Sequence, residues 1–361
     1  MSDPLRPSGS TRAADVLRRA VSSAERPLAA KKILVMRFGA LGDMVQSFPA
    51  FAQIRAAHPD AEITLLTTAP YAEFARASGL FDHIETDGRP KGLGAIVALF
   101  RRLRRTRYDR VYDLQNSGRS KNYIFGFWPR PPEWSGISPG ASHRQTRPDR
   151  DALHNLDRTA DQLHVAGIAP PNVPGEAPPP DMAWAARIAR RGAATTAERF
   201  GLAAPFVLLA PGASPAKPEK FWPAPSYGQL AALLIGRGLA VAIVGSAAEA
   251  GIAAAVRKAA PGAIDLTGQT DLFDLAGLGE EAAFCVGNDT GPTHLIAGAG
   301  APGLMLMSKV TDPGHCAPRG PMGYLKVDDL AELSAETVLA ALDRQGGDGP
   351  AGQVQQIAAV E

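Results

Sequence analysis

Between residues 31 and 307 the chain alternates short β-branched runs with longer amphipathic stretches, and this alternation confines it to one class of fold. The run KKILVMR precedes an amphipathic segment over 43–57, AEITLL precedes 71–77, DHIET precedes 93–105, and YDRVYDL precedes 119–127. A strand that is followed each time by a helix joins a parallel sheet with helices on both faces. After a further helical stretch over 152–165, a Pro- and Gly-rich run over 167–180 rules out regular structure. The same rhythm then resumes: FVLLA, helix 226–237, LAVAIVG, helix 247–259, AIDLTG, a short helix from 271, AAFCVG, helix 292–299 and GLMLM.

Two such series predict an α/β protein with two Rossmann-like, doubly wound domains. The expected division is an N-terminal extension over 1–30, a first domain over 31–170, a linker over 171–182, a second domain over 183–340 and a flexible tail over 341–361. The 361 residues, 45% of them hydrophobic, are enough to build two cores. A formal net charge of +2 asks for no nucleic-acid partner. Cys285 and Cys316 lack metal-ligand spacing and suit a reducing compartment, which makes the cytoplasm the expected location. No stretch of about twenty uninterrupted apolar residues is present, as a membrane span would need, and charges within residues 1–30 argue against a secretory signal. Ala14, Leu17, Val21 and Ala24 recur at helical spacing beside Arg12, Arg18 and Arg19, which fits either an anionic bilayer surface or a loosely docked arm.

Ligands of open parallel sheets bind beyond the carboxyl ends of the strands, so two sheets with facing ends would hold a site in the cleft between them. Five post-strand segments are candidates. In RFGALGDMVQSFPA, Gly39, Ala40 and Gly42 permit a sharp turn, and Asp43 is either a helix N-cap or a general base at the cleft. Neither the dinucleotide fingerprint nor the phosphate loop ending in Gly-Lys-Ser/Thr is present, which counts against a dehydrogenase or a nucleoside triphosphatase. In APGASPAKPEKFWP, Ser214 lies in a tight loop, and Lys217 and Lys220 are either phosphate ligands or solvated surface cations. In VGNDTGPTHLIAG, Asp289, Thr290 and Gly291 precede a helix with Pro292 at its start, so that free amides make an anion site, and His294 is either a donor to a phosphate or ribose or a satisfied structural residue. Glu249 could accept ribose hydroxyls or stabilise a helix start. Arg119 and Lys121, following a strand, are candidates for gripping an acidic acceptor, whereas the run over 101–107 reads as a solvated helix face.

These segments, with HPDAEITLLT, YDRVYDLQNSGRS and TDPGHCAP, occur in an order that resembles glycosyltransferase family nine, the heptosyltransferases, from about Lys31 to Pro321. The resemblance implies the GT-B architecture of two Rossmann-like domains facing across a cleft. It also implies an inverting transfer of heptose from ADP-heptose to a lipopolysaccharide core acceptor. On matching positions, Asp43 would deprotonate the acceptor hydroxyl and Lys220 would neutralise the departing diphosphate. Ser214, Asp289, Thr290, Gly291 and His294 would line the donor site, Glu249 would lie near the nucleoside, and Gly42, Arg119 and Lys121 would face the acceptor. A lipid-linked acceptor suggests peripheral contact with the inner face of the cytoplasmic membrane. No tightly bound cofactor or metal is expected; the one Asp-x-Asp match, Asp149 to Asp151, reads as chance. The family usually places a Phe-Gly pair before Thr-Asp-Pro where this chain has MLMSKVTDP, so the donor stays open. Alternatives are the same fold acting on another donor or on a capsule or protein acceptor, and a non-catalytic sugar-nucleotide-binding protein.

Overall fold

The computed structural model describes residues 30–345 and 356–358. The N-terminal extension with its basic amphipathic stretch, and most of the proposed tail, lie outside the described residues.

The two series of alternating segments become two parallel sheets. The first contains β1 (Lys32–Met36), β2 (Glu62–Leu66), β3 (His83–Glu85), β4 (Arg110–Asp113), β5 (Glu133–Gly136) and β6 (His143–Arg144), in the order β3-β2-β1-β4-β5-β6. The second contains β7 (Phe206–Ala210), β8 (Ala240–Ile243), β9 (Ile264–Asp265), β10 (Phe284–Asn288), β11 (Gly303–Met307), β12 (Met322–Lys326) and β13 (Gln356–Ala358), in the order β13-β12-β11-β10-β7-β8-β9. In each sheet the chain first builds outward on one side, then crosses back and builds on the other. The switch points therefore fall between β1 and β4 and between β7 and β10, where ligands of such sheets settle. Burial on both faces explains why the central strands, ILVM within β1 and FVLLA in β7, are almost unbroken apolar runs.

The strands β5, β6, β12 and β13 were not expected. They are two to five residues long and lie toward the sheet edges, where a run such as Glu133–Gly136 shows no apolar continuity. The amphipathic stretch over 43–57 is two helices, Leu41–Gln46 and Phe48–Ala57, rather than one. Pro49 has no N–H to offer the carbonyl four residues earlier, so the helical ladder is interrupted there. The last helix runs through Gln345.

Between Val165 and Ala183 the chain has no helix or strand, yet it is pinned: Gly175 and Ala177 donate backbone N–H groups to the carboxylate of Asp157, at 2.9 and 3.2 Å, and Met182 donates to the carbonyl of Gly298 at 2.9 Å. An aromatic cluster then joins the halves. Trp184, on the helix Ala183–Ala189, stacks on Phe48 at 5.5 Å between ring centres and meets Phe74 at 4.9 Å, while Phe74 reaches Phe273 at 5.3 Å. Such pairs add roughly 0.5–1.5 kcal/mol each beyond the area they bury.

Candidate active site

The first wall of the cleft is built where β1 ends. Arg37 is largely buried, its side chain 12% exposed, and its guanidinium donates to the carbonyl of Leu114, just past β4, at 2.6 Å and to the carbonyl of Asp43 at 3.1 and 3.3 Å. Burial depresses the pKa of Arg37, and the charges of Asp43 and Asp113 partly offset this. The carbonyl of Gln115's side chain accepts from the N–H of Phe38 at 2.8 Å, so β1 and β4 present one continuous lip. Behind it Asp113 is fully buried; desolvation pushes its carboxyl up to about 6 against the hydrogen bonds from the N–H groups of Asn116 and Gln115.

Asp43 emerges from this lip. The helix Leu41–Gln46 has Ala40 as its N-cap with no side-chain bond, so the N-cap reading of Asp43 falls away. Its carboxylate is 42% exposed and lies 3.3 Å from the guanidinium of Arg37. A cavity of about 260 Å³ opens in front of it, with Arg37, Asn116, Arg150, Asp151 and Arg158 among the lining residues. Arg119 and Lys121 are exposed and do not line this cavity. The cations beside Asp43 are instead Arg37, Arg150 and Arg158.

The second wall is built where β10 ends. Asn288 donates to the carbonyl of Pro211 at 2.7 Å and accepts from the N–H of Trp222 and the hydroxyl of Tyr227, which fixes the post-β7 loop against β10. That loop carries Lys220, whose ammonium is paired with the carboxylate of Asp289. Asp289 also accepts from the hydroxyl of Thr311 at 2.9 Å and lies 3.3 Å from Nε2 of His294. Burial works against the ionised form of Asp289, but His294 and Lys220 outweigh it and hold the carboxyl well below its usual range. Beside this cluster the helix Gly291–Gly298 starts at Thr290 without a side-chain cap, leaving N-terminal amides free to meet an anion. Ser214 and Lys217 are exposed on the same loop as Lys220. Glu249 is engaged in a capping box with Ser246, accepting its N–H at 2.7 Å and its hydroxyl at 2.6 Å, although its side chain still borders Gly212 at the mouth of the loop.

Two glycines bring the walls together. A Cβ on Gly42 would stand 2.7 Å from Cδ2 of His294, and one on Gly291 would stand 2.5 Å from Cβ of Leu41. The helices Leu41–Gln46 and Gly291–Gly298 therefore cross at a spacing that only glycine permits at these two positions. Gly291 makes this contact at the helix start where the sequence suggested close approach to a ligand. Gly42→Ala is expected to lower stability by about 1–3 kcal/mol, as overpacking does, measurable as a lower urea midpoint with unchanged slope. Among the described residues no three His, Cys, Asp or Glu side chains converge as a metal-holding group. Asp149 and Asp151 pair with Arg147 and Arg150.

Residues 96–324 match Glycosyltransferase family 9 (heptosyltransferase). Lipopolysaccharide heptosyltransferase 2 of Escherichia coli (strain K12) is 29% identical over 290 residues, 76% of this chain and 82% of that protein. Lipooligosaccharide heptosyltransferase 2 of Haemophilus influenzae is 33% identical over 119 residues, 32% of this chain; the match spans about a third, 34%, of that relative's length. Among solved structures, the glycosyl transferase family 9 protein of Veillonella parvula superposes with a TM-score of 0.73 at 19% identity, covering 90% of this chain and 99% of that one. The E. coli heptosyltransferase WaaC with ADP superposes with a TM-score of 0.67 at 18% identity, covering 87% of this chain and 100% of that one. These two likenesses establish a shared fold.

Proposed function

Because the chain belongs to glycosyltransferase family 9, the heptosyltransferases, we propose that it transfers a heptosyl group from ADP-heptose to a lipid-linked core saccharide, with inversion at the anomeric carbon. The observation that carries the reading is the placement of Asp43 and the Lys220–Asp289–His294 cluster on the two walls that Gly42 and Gly291 bring together. In this mechanism the acceptor hydroxyl lies in the cavity before Asp43, which takes its proton as the oxygen attacks the anomeric carbon. The bond from that carbon to the diphosphate breaks with its electron pair, and ADP departs. Lys220 and the free amides of the helix Gly291–Gly298 face the charge that develops on the diphosphate. Arg150 and Arg158 suit an anionic group on the acceptor, since guanidinium forks pair with carboxylate and phosphate oxygens. A lipid-linked acceptor would bring the protein to a membrane surface from the water side; no helix among the described residues is long and apolar enough to cross a membrane.

Calorimetric titration with ADP-heptose beside GDP- and UDP-sugars tests the donor. Selective binding of ADP-heptose is expected. Preference for another nucleotide sugar would retain the fold and change the donor, the outcome that Ser308 and Lys309 make worth testing because they stand where the family usually has Phe-Gly. Failure to bind any nucleotide sugar would favour a non-catalytic role.

A further inference from the structure

The first turns of the helix Leu93–Thr106 are apolar and expose large side chains to water. Leu93 is 81% exposed and Val97 52%, with Ile96 at 37%, while further along the same helix Leu99 and Leu103 are buried. A second exposed apolar pair, Phe125 at 60% and Trp128 at 69%, lies on the segment that follows β4. The two segments pack side by side. Phe100 packs edge-on against Tyr123 and Phe127, at 5.2 and 6.1 Å, and Arg104 donates to the carbonyl of Trp128. Water-exposed protein surfaces rarely leave apolar side chains of this size grouped together unless something covers them.

Charge says what covers them. Between Gly88 and Pro132 the chain carries eleven Lys or Arg against two acids, Asp109 and Asp113, although the net charge of the whole chain is only +2. Arg102 is neutralised by Glu85 and Asp87, and Arg110 by Glu133. Arg101, Arg104, Arg105 and Arg107 remain exposed on the helix that bears the apolar end. An apolar patch that includes Trp and Phe, rimmed by Arg, matches an anionic bilayer, where rings settle at headgroup level and cations meet lipid phosphates. The patch also lies beside the site: the loop before this helix carries Arg89, which donates to the carbonyl of Gly39 at 3.0 Å, in the turn that leads to Asp43.

We infer that this face docks on an anionic phospholipid surface, inserting Leu93, Val97, Phe125 and Trp128 and holding the Asp43 lip at the water–lipid boundary. This deepens the reading of a lipid-linked acceptor by giving it a surface, but it is independent of donor chemistry, so vesicle binding and ADP binding are measured separately. The full chain is sedimented with vesicles of phosphatidylcholine alone or with a third of phosphatidylglycerol. The expected result is partition onto the anionic vesicles only, reduced at least tenfold in half-molar salt. Leu93→Glu/Val97→Glu and Phe125→Ser/Trp128→Ser should each cut partition at least tenfold, with ADP affinity unchanged as evidence that the fold persists. Arg101→Glu/Arg105→Glu should remove most of the salt-sensitive part. Absence of vesicle binding would overturn the inference, and so would equal binding by all variants, which would place the contact elsewhere, such as residues 1–29. Conversion of a dimer to a monomer by the apolar variants in sedimentation velocity would assign the patch to a second copy instead.

Discussion

An Asp43→Asn protein is expected to lose about a hundredfold or more in turnover while binding ADP within twofold of the parent. The amide is isosteric with the carboxylate but cannot take a proton from the acceptor hydroxyl, and removing a positioned general base costs on the order of 10²–10⁴ in rate. The local structure should survive, because the contacts that hold this turn run through the backbone of residue 43. Its carbonyl accepts from Arg37 at 3.1 and 3.3 Å and from the hydroxyl of Ser47 at 2.8 Å, and the substitution leaves all three in place. Only the 3.3 Å contact between the carboxylate and Arg37 changes character. Steady-state rates with saturating donor and acceptor, beside calorimetry with ADP, separate the two effects. Turnover retained within tenfold would remove Asp43 from the role of base and direct attention to Asp151, the other carboxylate among the residues lining the cavity.

Periodicity, and position directly after a strand, are local patterns, and the features they set were legible in the sequence. The central strands of both sheets, the interruption over 167–180 and the post-strand placement of Asp43 and Asp289 are of this kind, and each reappears in the structure. Hidden from such a reading were the groupings of residues that meet only in space. Lys220 and Asp289 are 69 residues apart and form one ion pair because Asn288 ties two neighbouring strand ends together. Arg150 and Arg158 come from a short turn and a helix beyond β6, yet line the cavity before Asp43, while Arg119 and Lys121, which follow β4 directly in sequence, do not. Arg37 stood in plain view beside the Gly-rich turn. Nothing in its spacing signalled that its side chain would turn inward and be spent on two carbonyls.

Lys220→Ala is expected to weaken ADP binding by about 1.5–3 kcal/mol, a tenfold to hundredfold rise in Kd, and to leave adenosine affinity unchanged. The structure makes this a sharper test than charge alone would. The ammonium of Lys220 is already paired with Asp289, a carboxylate that is itself nearly buried. An incoming diphosphate must share or displace that pairing, and Asp289 can tolerate this because Thr311 and His294 continue to hold it. Removing Lys220 therefore costs the ligand a charge-assisted contact and also costs the protein one partner of Asp289. The second effect lowers stability without regard to nucleotide, and the comparison with adenosine cancels it. If Lys220→Ala weakens ADP and adenosine equally, Lys220 is a structural partner of Asp289 alone. If ADP affinity does not move, the diphosphate lies elsewhere on the second wall, with the amides at the start of the helix Gly291–Gly298 as the remaining anion site. A loss confined to ADP places the departing phosphate beside Lys220, across the cleft from Asp43, which is the arrangement that a single displacement requires.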